Sequence, residues 1–318
     1  MITYTLKRLS GIAMTLILLS LFTFLLSRTV PGGPWMQGAE IPLSEAQVEV
    51  FKSKYGLDKP VWQQYLIWLK NAMLLDFGRP FTEPERTVTQ LIVSTLPYSA
   101  LVGGLAATLA ITLGVAMGMI AAARQDSWID TAVTSYAVGI STVPSFVLAY
   151  IMAYFLAAKL RWFPAGSWGD PTDWRDVAWH LVMPVVAFAL PATGGVARWT
   201  RQCMAEAMAS DYVRTAYAKG LQNRMVMTRH VLRNALIPMI TNFLPMYPGM
   251  MTGSLFIERV FGLPGLGKYF VMSSTNRDYP LVLGITIFWA VLIALTYFLT
   301  DVLYGIIDPR VRITARRQ

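Results

Sequence analysis

The sequence predicts an all-α integral membrane protein with six spanning helices and both termini in the cytoplasm. Three observations carry this. Hydrophobic residues make up 55% of the 318 residues and charged residues 14%, against roughly 25% charged in a typical globular protein, so too little surface is left to face water. Marking Asp, Glu, Lys and Arg leaves six long uncharged runs, at 9–27, 87–123, 131–158, 177–197, 234–257 and 279–300. The excess positive charge then gathers on one side of those runs.

A bilayer core of about 30 Å needs about 20 residues of helix, and the runs hold 19 to 37 residues. The first follows Lys7-Arg8 and is longer than a signal-peptide core of roughly 7–15 residues. It continues as Ser27-Arg28-Thr29-Val30-Pro31-Gly32-Gly33-Pro34 with no small-x-small cleavage site, so it reads as an uncleaved span over about 9–28. In the second run, Leu96-Pro97 marks a boundary or kink, which leaves 98–123 as the spanning part. The remaining spans fall at about 131–158, 178–198, 235–257 and 279–303. Pro144 lies in the third, Pro184 and Pro191 in the fourth, and Pro238, Pro245, Pro248 and Gly249 in or beside the fifth. Such residues are tolerated in lipid where neighbouring helices or a wet cavity satisfy the freed carbonyls. Ser141, Thr142, Thr241, Asn242 and Tyr247 are candidates to line a pathway there, with hydrogen bonding across a helix interface as the alternative.

With six crossings the two termini share a side. That side carries 14 basic and 6 acidic residues, the other 13 and 12, so +8 of the net +9 lies with the termini, which the positive-inside rule makes cytoplasmic. The charge sets topology and requires no nucleic-acid site.

Outside lies the stretch 29–95. Ser44-Glu45-Ala46-Gln47 fits a capping box, Val48, Phe51 and Tyr55 recur at helical spacing, and Gly56 is placed to end that helix. Residues 61–75 carry Trp62, Tyr65, Leu66, Trp68, Leu69 and Met73, which suits either a helix at the membrane interface or a docking face. Inside lies the connection 199–234. Ser210 or Asp211 can cap a short helix running to Lys219, Gly220 can end it in the left-handed conformation, and Arg224, Arg229 and Arg233 mark a second, basic helix. Nine residues make a rod of about 13 Å, suited to transmitting a push, though spacing alone favours an ordinary positive-inside loop.

Several chemistries are absent or only apparent. Gly262 to Lys268 match the first seven positions of a phosphate-binding loop, but Tyr269 stands where Ser or Thr ligates magnesium, and the loop follows a span on the external side. The uncharged runs lack the carboxylate that couples ions in secondary carriers. His180 and His230 do not make a metal site, Cys203 has no disulfide partner in the chain, and no nucleophile is paired with a base. The chain has neither an energy source nor an active site of its own. A self-sufficient channel or carrier and a membrane-embedded enzyme remain the rival classes.

Four stretches resemble the B-type integral membrane subunit of bacterial dipeptide and oligopeptide ATP-binding-cassette (ABC) importers, nearly end to end. They are Lys7-Arg8-Leu9 with Pro31-Gly32; Tyr55-Gly56-Leu57-Asp58-Lys59-Pro60 with Gln64-Tyr65; and Asp211-Tyr212-Val213-Arg214-Thr215-Ala216 with Ala218-Lys219-Gly220, followed by Arg233-Asn234-Ala235-Leu236-Ile237-Pro238. The fourth comprises Glu258-Arg259-Val260-Phe261, Pro264-Gly265-Leu266-Gly267, Arg277-Asp278-Tyr279-Pro280, Asp301 and Asp308-Pro309-Arg310. The general permease signature is Glu-Ala-Ala followed three residues later by Gly. Aligned on Gly220, this chain has Arg214, Thr215 and Ala216, departing at the first two positions as the peptide branch does.

The resemblance implies a type I ABC importer permease fold in a bacterial inner membrane, with residues 211–216 and 218–220 as the helix that docks into an ATPase subunit. It implies three kinds of partner besides the lipid bilayer: a second, C-type permease subunit, two cytosolic ATPase subunits that bind ATP and Mg, and an extracytoplasmic substrate-binding protein. It implies no cofactor on this chain and no catalysis by it. Relatives are associated with dipeptides, longer peptides, glutathione, nickel chelates and oligosaccharides, of which a peptide is the expected substrate.

Overall fold

The computed structural model describes residues 2–29, 32–36 and 44–307, and all regular structure among them is helical. Pro31 and Asp308-Pro309-Arg310 of the resemblance lie outside the described residues. The helices are α1 (Ile2–Thr29), α2 (Glu45–Lys54), α3 (Val61–Ala72), α4 (Val88–Ala123), α5 (Trp128–Thr142), α6 (Ser145–Met152), α7 (Trp174–Met208), α8 (Asp211–Ala218), α9 (Asn223–Met225), α10 (Leu232–Phe243), α11 (Met246–Met251), α12 (Leu255–Val260), α13 (Leu266–Thr275) and α14 (Tyr279–Ile307). Two π-helical turns join them, Ala153–Lys159 after α6 and Val226–Val231 between α9 and α10.

Among the described residues, four helices are long and apolar enough to cross a bilayer, Leu6–Thr29, Val88–Ala123, Trp174–Met208 and Tyr279–Leu299. They correspond to the first, second, fourth and sixth uncharged runs. The other two runs differ from expectation, and proline explains both. The third bends by 91° between α5 and the segment Ser145–Lys159. Pro144 has no N–H and disfavours the helical conformation in the residue before it, and Val143 is extended at φ −81°, ψ 120°. The fifth, expected as 235–257, is three short helices. Pro245 interrupts the bonding between α10 and α11, and the helical path ends at Gly253, whose φ is +94°. Ser254 then caps α12 by accepting from the Ile257 amide at 3.4 Å.

Two boundaries also move. Pro97 does not end a helix; it sits inside α4, where losing one amide donor is offset by the continuous bonding on either side, so residues 88–95 belong to the long helix and not to the external stretch. Helix α7 contains both Pro184 and Pro191 and continues to Met208, so the connection expected from 199 starts about ten residues later.

The chain folds as two compact units, one made of Met1–Pro97 with Gly265–Leu295, the other of Tyr98–Pro264 with Thr296–Gln318. In the first, Phe77, Val88, Leu91, Leu266, Leu281 and Ile285 form the core, flanked by Trp68 and Trp289. Helix α2 has the expected capping box, with Ser44 and Gln47 exchanging side-chain and backbone bonds, and Gly56 ends it with φ +64°. Helix α3 packs Tyr65 and Trp68 around Phe24 of α1 and leaves Trp62, Leu66 and Ile67 exposed.

In the second unit, α5 and α6 lie against α7. Close approach is bought by small residues: a Cβ at Gly194 of α7 would fall on the Ala137 carbonyl of α5, and one at Gly118 of α4 on Thr200, the packing device of helices in lipid. One cluster, around Leu181, Met183, Ile257, Phe261 and Leu263, ties α7 to α12. Another gathers Ala122, Cys203, Met204, Val213, Ala216, Val226, Val231, Ala235 and Met239.

Candidate functional site

Helix α8 is the expected short rod. Its capping differs from expectation: Ser210 occupies the N-cap but accepts no bond from the first turn, because its hydroxyl turns back to donate to the Ala207 carbonyl. The carboxyl end follows the prediction. Gly220 adopts φ +76°, and the Lys219 and Gly220 amides donate to the Thr215 and Tyr217 carbonyls at 3.1 and 2.9 Å. A Cβ at Gly220 would meet nothing within 4 Å, so the requirement for glycine lies in the backbone conformation alone.

The helix has two faces of opposite character. Val213 and Ala216, three residues apart, are 2% and 4% exposed and enter the core shared with α7, the π-helical turn and α10. Asp211, Tyr212, Arg214, Thr215, Ala218, Lys219 and Gly220 are exposed. Arg214 and Asp211 pair loosely at 3.5 Å, Thr215 bonds its own helix at the Asp211 carbonyl (2.9 Å), and the Tyr217 hydroxyl donates to Asn223 Oδ1 at 2.7 Å. The outer face therefore offers an aromatic ring, Tyr212, among charged groups, while the inner face is continuous with the long helices.

The five candidate lining residues lie on three helices, α5, α10 and α11. Ser141 and Thr142 donate to carbonyls of their own helix, Val138 at 3.1 Å and Gly139 at 2.7 Å, next to the bend at Pro144. The Tyr247 hydroxyl meets Thr108 Oγ1 at 3.0 Å and so ties α11 to α4. Thr241 is half-buried and Asn242 exposed on α10. His180 is a satisfied residue, its Nδ1 2.9 Å from the Asp176 carbonyl.

Sequence reasoning missed three buried carboxylates just beyond the ends of the uncharged runs. Asp130, at the start of α5, receives Nε and Nη2 of Arg201 from α7 at 2.5 and 2.6 Å. Glu258 of α12 is 2% exposed and accepts from Ser99 Oγ of α4 at 2.6 Å; Gly253 leaves room for that oxygen, since a Cβ there would fall on it. Asp278, fully buried ahead of α14, accepts from the Thr82 amide (3.0 Å), the Thr82 hydroxyl (2.9 Å) and the Leu281 amide (3.3 Å). Burial pushes its carboxyl above the ordinary value, against the pull of these hydrogen bonds. Their signal was the position of each acid immediately beside an apolar run.

The loop from Gly262 that resembled a phosphate cradle is a structural turn. Gly262 adopts φ +60°, and Leu263 and Leu266 are buried.

Long apolar helices of spanning length and a short helix with one buried and one exposed face are features in keeping with a membrane transport subunit. The chain belongs to the family of binding-protein-dependent transport system inner membrane components, whose models match residues 114–313 and, for the amino-terminal part, 1–100. It is 36% identical over 313 residues to the dipeptide transport system permease protein DppB of Bacillus subtilis, covering 98% of this chain and 99% of that one. It is 38% identical over 312 residues to the oligopeptide transport system permease protein OppB of Haemophilus influenzae, covering 98% and 100%. Among solved structures, an amino acid ABC transporter crystallised with histidines superposes with a TM-score of 0.50 at 19% identity, over 68% of this chain and 94% of that one, a likeness of fold.

Proposed function

We propose that this chain forms half of the translocation pathway of an ATP-driven importer of dipeptides or oligopeptides in a bacterial inner membrane. It crosses the bilayer six times, both termini are cytoplasmic, and α8 is the coupling helix, docking its Tyr212 to Gly220 face into a groove of an ATPase subunit. A second permease subunit completes the pathway, two cytosolic ATPases hydrolyse ATP with Mg, and an external binding protein delivers the peptide.

The observation that carries this reading is the division of α8 into a face built into the core of α7 and α10 and a face left open. An element of this kind couples a rigid-body motion outside the membrane to helices within it. The relatives named for dipeptide and oligopeptide transport, at 36–38% identity, support the peptide. Affinity purification of the tagged chain from its own membranes is expected to recover two ATPase subunits and a second permease. Proteoliposomes containing them should accumulate a labelled dipeptide only with binding protein on one face and ATP on the other. Uptake by the chain alone, driven by an ion gradient, would overturn the reading.

A further inference from the structure

The first unit encloses a cavity of about 480 Å³ that the coupling reading leaves unused. It lies among the last turn of α1, the turn after α2, one face of α3 and the start of α14. Its charged lining is Arg28, Lys54, Lys59 and Arg79 against one carboxylate, Asp76, four positive charges and one negative, a net +3. Asp76 is exposed and is engaged within its own turn, accepting from the Gly78 amide at 3.0 Å.

Arg28 is the organised part of this cavity. Its Nε and Nη2 donate to Gln64 Oε1 at 3.2 and 2.8 Å, and its Nη1 to the Phe24 carbonyl and Ser27 Oγ, both at 3.3 Å. The guanidinium also lies 3.5 Å over the Phe24 ring. Gln64 is held in turn, since its Nε2 donates to the carbonyls of Lys59 (2.7 Å) and Leu57 (3.2 Å). Among the described residues, every group bonded to this half-buried cation is therefore neutral. A part-buried cation kept only for structure is best served by a carboxylate, because desolvation without a counter-charge is costly. A clamped amide orients the guanidinium and leaves its charge for an incoming anion, and the planar fork of Arg suits phosphate oxygens.

The surroundings indicate where the anion comes from. On the reading of α1 as a span, its last turn lies at headgroup depth. Trp62, Leu66 and Ile67 of α3, with Met73 and Leu74 just after it, are exposed apolar groups of the kind that settle at the boundary between headgroups and acyl chains. We propose that the cavity binds the phosphate of an anionic phospholipid headgroup, gripped by Arg28 and attracted by Lys54, Lys59 and Arg79, with the acyl chains along the exposed face of α3. The proposal rests on the span, not on the substrate, so it can fail while peptide transport stands.

The test titrates the purified full-length chain, in a neutral detergent, with short-chain phosphatidylglycerol, the matching phosphatidylcholine and inorganic phosphate, read by native mass spectrometry. Phosphatidylglycerol is expected to bind about tenfold or more tightly than phosphatidylcholine, the scale of one charge-assisted contact. Arg28→Gln should abolish that preference. Gln64→Glu should abolish it too, by setting a carboxylate against the guanidinium, and it keeps the test decisive if Arg28→Gln does not fold. Competition by inorganic phosphate would support phosphate as the recognised group, and lipid binding without such competition would support recognition of the whole headgroup. Equal binding of the two lipids, phosphate binding without lipid binding, or an unchanged preference in Gln64→Glu would overturn the proposal.

Discussion

Arg201 of α7 holds both carboxylate oxygens of Asp130, the residue that opens α5, at 2.5 and 2.6 Å. Asp130 is further held by the Asp126 amide at 3.1 Å, so the turn entering α5, α5 itself and the carboxyl-terminal half of α7 are pinned at one point. Below that point on α7, Cys203 and Met204 enter the core shared with α8. Removing one member, as Asp130→Asn or Arg201→Gln, leaves a charge without its partner and should cost about 2–3 kcal/mol, less than a sealed pair because Arg201 keeps part of its hydration. The double variant should recover part of the loss. Thermal-shift midpoints in detergent check this; strictly additive losses would show that the two residues do not act as a pair.

At Gly220 the geometry separates backbone from side chain. The site has open space but a left-handed φ of +76°, which costs a branched residue about 1–2 kcal/mol and Asn far less. Gly220→Val should abolish uptake while the protein remains inserted, and Gly220→Asn should retain most of it. Equal loss in both would place the requirement in the contact surface. Gly220→Asp, whose backbone is tolerated but whose charge is new, then reports on docking to the ATPase.

The two faces of α8 should separate stability from coupling. Val213→Ala removes buried volume beneath the helix and should lower stability by about 2 kcal/mol, seen as a lower melting midpoint of the isolated chain. Tyr212→Ala alters a ring that is 39% exposed and should leave that midpoint unchanged while weakening co-purification of the ATPases. A melting midpoint that falls as far in Tyr212→Ala would contradict the assignment of faces.

For Asp278 the prediction is a pH dependence. Burial raises its carboxyl above the ordinary value, so the folded state favours the protonated form. That contribution is fully present below the unfolded carboxylate pKa and is lost as pH rises through the folded one. Wild type should therefore lose stability relative to Asp278→Asn as pH is raised from the ordinary carboxylate range upward. Parallel melting curves across that range would contradict it.

Much of this architecture is legible in the chain because it depends on local pattern. The capping box at Ser44 and Gln47 and the left-handed glycines at 56 and 220 are set within a few residues of themselves, and the uncharged runs record where helices are long and apolar. The buried acids were not legible, because their partners are remote: Arg201 is 71 positions from Asp130, Glu258 is 159 from Ser99, and Asp278 is 196 from Thr82. Proline was misread in both directions. At Pro97 the helix simply continues, whereas at Pro144 the extended Val143 turns the chain aside, and which outcome prevails depends on packing that one residue does not announce.

The π-helical turn Val226–Val231 bears on how this connection tolerates insertions and deletions. A π turn closes its bonds over five residues where an α turn uses four, so it stores one residue beyond what a regular helix needs. Deleting a single residue there can be absorbed by reversion to α geometry, leaving the faces of α10 aligned. The same deletion inside α10 would rotate everything after it by about 100°, turning Phe243 out of the core.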